Sequence, residues 1–287
     1  MVTPAAKRAV VRYLLESYLF SERRACLIVG LCRGSYRYQA KPKNDEAIKK
    51  RLRELAELRR RFGSPRLHIL LRREGYLINH KRTERLYKEE GLSLRRKTSR
   101  KRSSHVRVVM DRPERANQHW SMDFVSDSLY SGRRFRVLTL VDDFSKECPL
   151  LLADHSITGN RVARTLDYVT QLKGVPEVIT VDNGPEFISK ALDLWAYQNN
   201  VRLRFIQPGK PVQNAYIESF NGKFRDECLN DNVFINLHSA REIIEQWRVD
   251  YNTERPHSSL NNMTPEEFSR TMTTEEKAEK PRLILVQ

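Results

Sequence analysis

The sequence predicts an α/β (α+β) fold: a mixed sheet carrying helices, preceded by small helical units. Three observations lead there. From about Arg115 onward, apolar runs of strand length and helical patterns follow in the order β-β-β-α-β-α-β-α-α. Before that point, short helical stretches are broken by glycines at the spacing of helix-turn-helix units. The charge divides at the same place. Residues 1–110 hold 30 Lys+Arg against 10 Asp+Glu, and residues 111–287 hold 22 against 26. The net +16 of the 287-residue chain therefore belongs wholly to its N-terminal part. A chain of this length accommodates about two domains and a sizeable core.

The elements follow in order. Thr3-Pro4 caps and opens a helix to about Tyr18, with proline at its first position. Ser21-Glu22 starts a second helix, which Gly30 stops. Gly34-Ser35 begins a third stretch, SYRYQ. If residues 1–40 form a helix-turn-helix, Arg33, Tyr36 and Arg37 face DNA; a small dimerisation bundle is the competing reading. Residues 45–94 form a second, three-helix unit. Ile48, Leu52, Leu55 and Leu58 recur at helical spacing. Ser64-Pro65 reads as a cap and first position, Gly75 as a stop, and Asn79 as the cap of a last helix ended by Gly91. That helix carries His80, Lys81, Arg82, Arg85 and Lys88 on one side and Leu86 and Tyr87 on the other. A basic last helix after a tight turn is a recognition-helix pattern, with a merely solvated basic face as the alternative.

Residues 95–114 lack hydrophobic periodicity. Six Lys or Arg fall between Arg95 and Arg102, with Arg95, Arg96 and Lys97 in a row. This is the composition of a basic linker that holds phosphates without reading sequence. The core spans residues 115–270. SMDFVSDSLY and FRVLTLVDDFS read as strands joined by SGRR into a hairpin, and Cys148–Ala153 as a third strand. A helix from about Asn160 to Leu172, a strand Glu177–Val181, a helix Ile188–Asn200 and a strand Val201–Ile206 follow. Ser239-x-x-Glu242 and Thr264-Pro265-Glu266-Glu267 match capping boxes for two further helices. Trp120, Trp195 and Trp247 read as core, and residues 271–287 form a tail with no chemistry assigned.

Composition narrows the function classes. A half this basic suits a polyanion, nucleic acid above all. The four cysteines form no C-x-x-C pair and have no neighbouring histidines to complete a zinc site, so free thiols of a cytosolic protein are expected. No apolar run approaches membrane-spanning length.

Three carboxylates carry the chemistry. Asp123 lies mid-strand in HWSMDF. Asp182 ends the strand in VITVDNGPEF, and after a gap of 35 residues Glu218 lies in the helical stretch VQNAYIESFNGKFRDEC. On that helix Asn214, Glu218, Asn221 and Arg225 share a face by spacing, and Ile217, Phe220 and Phe224 share another. Convergent carboxylates repel and raise one another's pKa unless cations neutralise them. Such a cluster suits Mg²⁺ or Mn²⁺, and two ions about 4 Å apart serve an in-line phosphodiester displacement. Arg225, Lys223, Asn183 and Asn214 are candidate DNA contacts beside it, and Gly184 shapes the adjoining loop. Asp142 and Asp143 read as turn or cap residues, Glu186 as a residue in the first turn of a helix, and His257 as either a DNA contact or a structural hydrogen bond.

HWSMDF, VDNGPEF and NAYIESFNGKFRDE, with the 35-residue gap, closely resemble the DDE transposase and retroviral integrase superfamily, and within it the OrfB-type transposases of bacterial insertion sequences. SERRAC, LLRREGYLINHKRTERLYKEEGL and DYNTERPHSSLNNMTPEEF extend the resemblance over roughly residues 5–268. It implies an RNase H-like core, with Asp123, Asp182 and Glu218 as the metal-binding catalytic triad and Arg225 as the basic residue seven positions past the glutamate. It also implies duplex DNA as partner (element ends and target), a homodimer or higher multimer on DNA, an upstream-frame partner or fusion, and a cytoplasmic, nucleoid-associated location. A non-catalytic DNA-binding regulator and an RNase H-like nuclease are the alternatives. Binding through the 95–108 segment is expected to weaken steeply with salt, and a plot of log affinity against log salt flatter for a variant neutralised at Arg95, Arg96 and Lys97 checks it.

Overall fold

The computed structural model describes residues 3–39, 45–94, 113–207 and 214–279, the last seven by backbone alone. The chain divides into two compact units, residues 1–50 and 51–287. In the first, α1 (Pro4–Tyr18) is capped by the Thr3 hydroxyl, and α2 (Glu22–Val29) by the Ser21 hydroxyl. Gly30 ends α2 in the left-handed conformation. The third helix, α3 (Arg33–Arg37), begins one residue earlier than Gly34 because the Cys32 thiol accepts from the Ser35 amide. These helices close over Val11, Ala25 and Cys26.

The boundary falls within α4 (Glu46–Leu58). In the second unit, α5 (Ser64–Arg73) and α6 (His80–Glu89) complete a three-helix arrangement around Leu52, Leu55, Leu67, Leu71, Leu86 and Tyr87. Leu58, expected inward, is exposed at the end of α4. Ser64 is not a cap; it lies inside α5, whose cap is Gly63 and lacks a side-chain hydrogen bond. Asn79 does cap α6, accepting from the Lys81 amide.

The five-stranded sheet has the order β3-β2-β1-β4-β5. β1 (His119–Ser128), β2 (Arg134–Asp142) and β3 (Leu150–Asp154) form an antiparallel meander, and β4 (Val178–Val181) and β5 (Arg202–Phe205) add parallel to β1. Strand alternation sorts the side chains. Trp120, Met122, Leu138, Leu140, Ile179 and Val181 turn to one face, under α7 (Gly159–Lys173) and α8 (Lys190–Gln198). Val125, Phe135, Val137 and Val141 turn to the other, under α9 (Ala215–Glu227) and α10 (Leu237–Thr253). There Ile217, Phe220 and Phe224 dock α9, and Phe220 meets Tyr251 edge-on at 5.0 Å.

α10 starts earlier than the Ser239-Glu242 pattern suggested. Asn236 is the cap, and it exchanges hydrogen bonds with Ser239, so Ser239 closes the box as the third residue of the helix. The Thr264-Glu267 box opens α11 (Pro265–Glu279) as expected, with the Glu267 carboxylate accepting from the Thr264 amide and the Thr264 hydroxyl from the Glu267 amide. The three-helix unit is joined to the sheet domain by ion pairs: Arg59 with Asp250, Arg66 with Glu227 at 3.0 Å, and Arg73 with Glu267 at 2.7 Å. No helix among the described residues is long and apolar enough to cross a membrane.

Phe220→Ala should cost about 3–5 kcal/mol, because the site is ringed by aromatic side chains that cannot collapse into the void. The shift in the denaturant midpoint measures it.

Candidate active site

The β1–β4 register builds the site. Ser121 pairs with Thr180. Two residues further along both chains, on the same face by alternation, come Asp123 and Asp182. Below them the two strands are pinned by buried polar groups. His119 Nδ1 meets Asp143 Oδ2 at 2.5 Å, its Nε2 meets the Thr180 hydroxyl at 2.9 Å, and the Ser121 hydroxyl donates to Asp143 at 2.8 Å. Asp143 is thus not the turn residue it resembles in sequence; it is buried, and burial raises its pKa. Asp142 is the turn residue, accepting from the Phe144 and Ser145 amides.

α9 crosses above. Asn221 donates through Nδ2 to Asp123 Oδ2 at 2.8 Å, and the Phe124 amide donates to Asp123 Oδ1 at 2.7 Å. Burial nevertheless pushes the Asp123 carboxyl up to about 6, and the negative charges of Asp182 and Glu218 add to the rise. All three carboxylates therefore lie within electrostatic reach. Asp123 and Asp182 are half-buried, and Glu218 is exposed one turn into the helix. Among the described residues none of the three is paired with a cation, and no three His, Cys, Asp or Glu side chains stand close enough to grip a metal ion. Their oxygen donor set still fits a hard divalent cation. So does Asn221 Oδ1, a buried acceptor with no partner among the described residues, set beside Asp123. Asn221 was legible as a residue of the Glu218 face, yet nothing in its spacing marked it as a contact of Asp123.

The Asp182 loop is shaped by close approach. Asp182 Oδ1 accepts from the Gly184 amide at 2.9 Å, and a Cβ on Gly184 would stand 2.9 Å from that oxygen. Asn183 donates to the Ile206 carbonyl and so ties the loop to the end of β5. Glu186 lies in a turn ahead of α8, whose cap is Ser189, and not within that helix. It is ion-paired with Arg136, which holds its pKa down, and Arg136 stacks over Phe124.

The remaining candidates scatter. Asn214 is buried beside the start of α9, with Oδ1 unpartnered among the described residues. Arg225 is exposed on the Glu218 side and donates to the Ser126 carbonyl. Lys223 is turned to the opposite side of α9, among Arg66, Arg255 and His257. His257 is buried, edge-on to Tyr251, with burial and Arg255 holding its pKa far below the usual imidazole range. In α6, Lys81 is exposed, Arg82 is half-buried and Arg85 pairs with Glu89. In the first unit, Arg33 is exposed, Tyr36 leans into the small core and Arg37 pairs with Glu22. Arg95, Arg96 and Lys97 lie outside the described residues.

A mixed five-stranded sheet of this order with helices packed on both faces is the fold of the integrase-core class, and comparison bears out that class. The integrase core domain family matches residues 113–211 and 199–265, and the HTH-like domain family matches residues 43–102. The insertion element IS407 uncharacterized 31.7 kDa protein of Burkholderia multivorans is 53% identical over 255 residues, 88% of this chain and 92% of its own. The insertion element IS476 uncharacterized 39.2 kDa protein of Xanthomonas euvesicatoria is 45% identical, over 96% of this chain and 80% of its own. The putative transposase InsK for insertion sequence element IS150 of Escherichia coli is 26% identical, over 80% and 85%. Among solved structures, a chain of the simian T-cell lymphotropic virus intasome in complex with PP2A regulatory subunit B56 gamma shares the fold. It has a TM-score of 0.50 at 15% identity, covering 82% of this chain and 77% of that one. The chain belongs to the OrfB-type insertion-sequence transposases of the DDE transposase and integrase superfamily. Its core is RNase H-like, and its general activity is that of a DNA transposase or integrase.

A carboxyl whose pKa rises on folding costs stability only once it ionises. The cost is absent below about pH 4, grows up to about pH 6 and is complete above that. At pH 8 in EDTA, Asp123→Asn should therefore gain about 2 kcal/mol, and near pH 4 nothing. Thermal unfolding at both pH values tests this; a variant no more stable than its parent at pH 8 contradicts it.

Proposed function

We propose that the chain cleaves and joins DNA at the ends of a mobile element, with Asp123, Asp182 and Glu218 as the residues that hold two Mg²⁺ or Mn²⁺ ions. The observation that carries this reading is a carboxyl raised to about 6 by burial and by two neighbouring acids, with no cation paired to any of the three among the described residues. Bound there, divalent ions would supply activation of an attacking oxygen and neutralisation of a leaving one. The protein's own part is to hold charge and geometry. Asn221 orients the Asp123 carboxylate through Nδ2. Gly184 keeps the Asp182 loop tight against its own carboxylate. Arg225, on the Glu218 side of α9, offers a guanidinium to a DNA phosphate, and Asn214 an amide. The carboxylates serve metals, so no covalent enzyme–DNA intermediate forms.

Duplex DNA, as element ends and as target, is the partner in this reading. Lys81, Arg82 and Arg85 of α6 are its proposed groove and phosphate contacts, with Arg33, Tyr36 and Arg37 of α3 and the 95–97 run as further ones. Holding two ends at once calls for a dimer or larger multimer, and an upstream-frame partner or fusion is part of the same reading.

Asp123→Asn, Asp182→Asn and Glu218→Gln should each lower cleavage and joining of labelled end DNA by roughly a thousand-fold or more, the several kcal/mol of metal-ion stabilisation expressed as rate. Binding of end DNA should persist. Near-normal joining by Glu218→Gln would rule out the assignment. A wild-type chain that binds ends but never cuts with Mg²⁺ or Mn²⁺ is a regulator; one that cuts and never joins is a nuclease.

A further inference from the structure

On the side of α9 away from Glu218, three cations share one carboxylate. Arg255 grips Glu227 in a fork, Nη2 to Oε1 at 2.6 Å and Nε to Oε2 at 2.7 Å. Arg66 of α5 donates Nη1 to the same Oε1 at 3.0 Å. Lys223, one turn before Glu227 on the same side of the helix, has no hydrogen-bonded or ion-paired partner among the described residues. The group therefore carries a surplus of two positive charges in a partly desolvated place. Burial, and then Arg255 beside it, pull Lys223 down to about 8, and burial and Arg255 lower Arg66 as well.

Unpaired desolvated charge is costly, so it is expected where a counter-charge arrives from outside. The cations face a solvent-open cleft of about 340 Å³ between the start of α5 and the segment after α10. That volume is roughly ten times a water's share of the liquid, room enough for a phosphate and part of a sugar. Gly63 and Pro65, the uncapped start of α5, form one wall, and Ser258 and Ser259 form another. The positive end of the α5 dipole thus lies at the same cleft. Lys223 and Glu218 are five residues apart, about 140° around the helix axis, so this cleft is separate from the carboxylate site.

We infer that Arg66, Lys223 and Arg255 form a phosphate-binding subsite, built jointly by the three-helix unit and the sheet domain, that takes a backbone phosphodiester of bound DNA. The DNA identity rests on the proposed function; the phosphate chemistry does not. Occupancy would fasten α5 to α9 at the moment DNA is engaged.

The test uses the full chain and Lys223→Gln, which removes the unpaired cation and leaves the Arg66–Glu227–Arg255 ion pairs in place. In ligand-free buffer the variant should melt higher than the parent, which a surface lysine would not do. Millimolar inorganic phosphate, set against chloride at equal ionic strength, should raise the melting temperature of the parent and not of the variant. Duplex DNA affinity should fall about five- to tenfold at 0.1 M salt, with the log–log salt slope shallower by about one. A variant that melts no higher, with the phosphate effect and the salt slope both unchanged, overturns the subsite. A phosphate effect that the variant loses, beside an unchanged DNA slope, overturns the DNA assignment and leaves free phosphate as the occupant. Failure of the catalytic reading appears separately, as a parent whose DNA binding weakens by that factor on Lys223→Gln yet which never cuts the DNA.

Discussion

The parallel pairing of β1 with β4 is the constraint on which the rest depends. Ser121 beside Thr180 fixes the register, and strand alternation then delivers Asp123 and Asp182 to one face. A slip of one residue would send either acid into the opposite core, among Met122 and Val181. The register is held from within by His119, which spans from Asp143 to Thr180, and by Ser121, which also reaches Asp143. A buried polar network is specific because any other pairing strands its members without partners.

α9 converts that register into a site. Its apolar residues lock onto the sheet and onto Trp247 and Tyr251, which leaves the helix no freedom to rotate. Its two remaining sides then meet different surroundings. One carries Glu218, and Asn221 on it bonds Asp123. The other presents Tyr216, Lys223 and Glu227 to a cationic neighbourhood, with Lys146 over the Tyr216 ring at 3.8 Å. A negative cluster and a positive one are thus held apart by the width of a single helix, each with the charge its surroundings lack.

Much of this was legible in the chain. Thr3-Pro4, Ser21, Asn79 and Thr264-Glu267 act as caps because capping is local: the donor and acceptor lie within a few residues. The same locality misled at Ser239. Asn236, Ser239 and Glu242 offer two overlapping boxes, and the chain took the earlier one. Asp143 misled for the opposite reason. An acid after a strand is a turn residue unless something distant claims it, and here His119 does. Leu58 kept helical spacing but ran past the end of its core.

The sequence by itself determined the elements, the division of charge and the three acids, because those depend on neighbours along the chain and on composition. Only the tertiary structure decided what each group faces. It set Asn221 against Asp123, turned Lys223 away from the acids toward Arg66 and Arg255, and joined α5 to the sheet domain through Glu227. The bonds Asn221–Asp123, Arg66–Glu227 and Arg255–Glu227 link residues 98, 161 and 28 positions apart. No periodicity records such pairs, since each depends on where packing leaves a side chain once the sheet and its helices have closed.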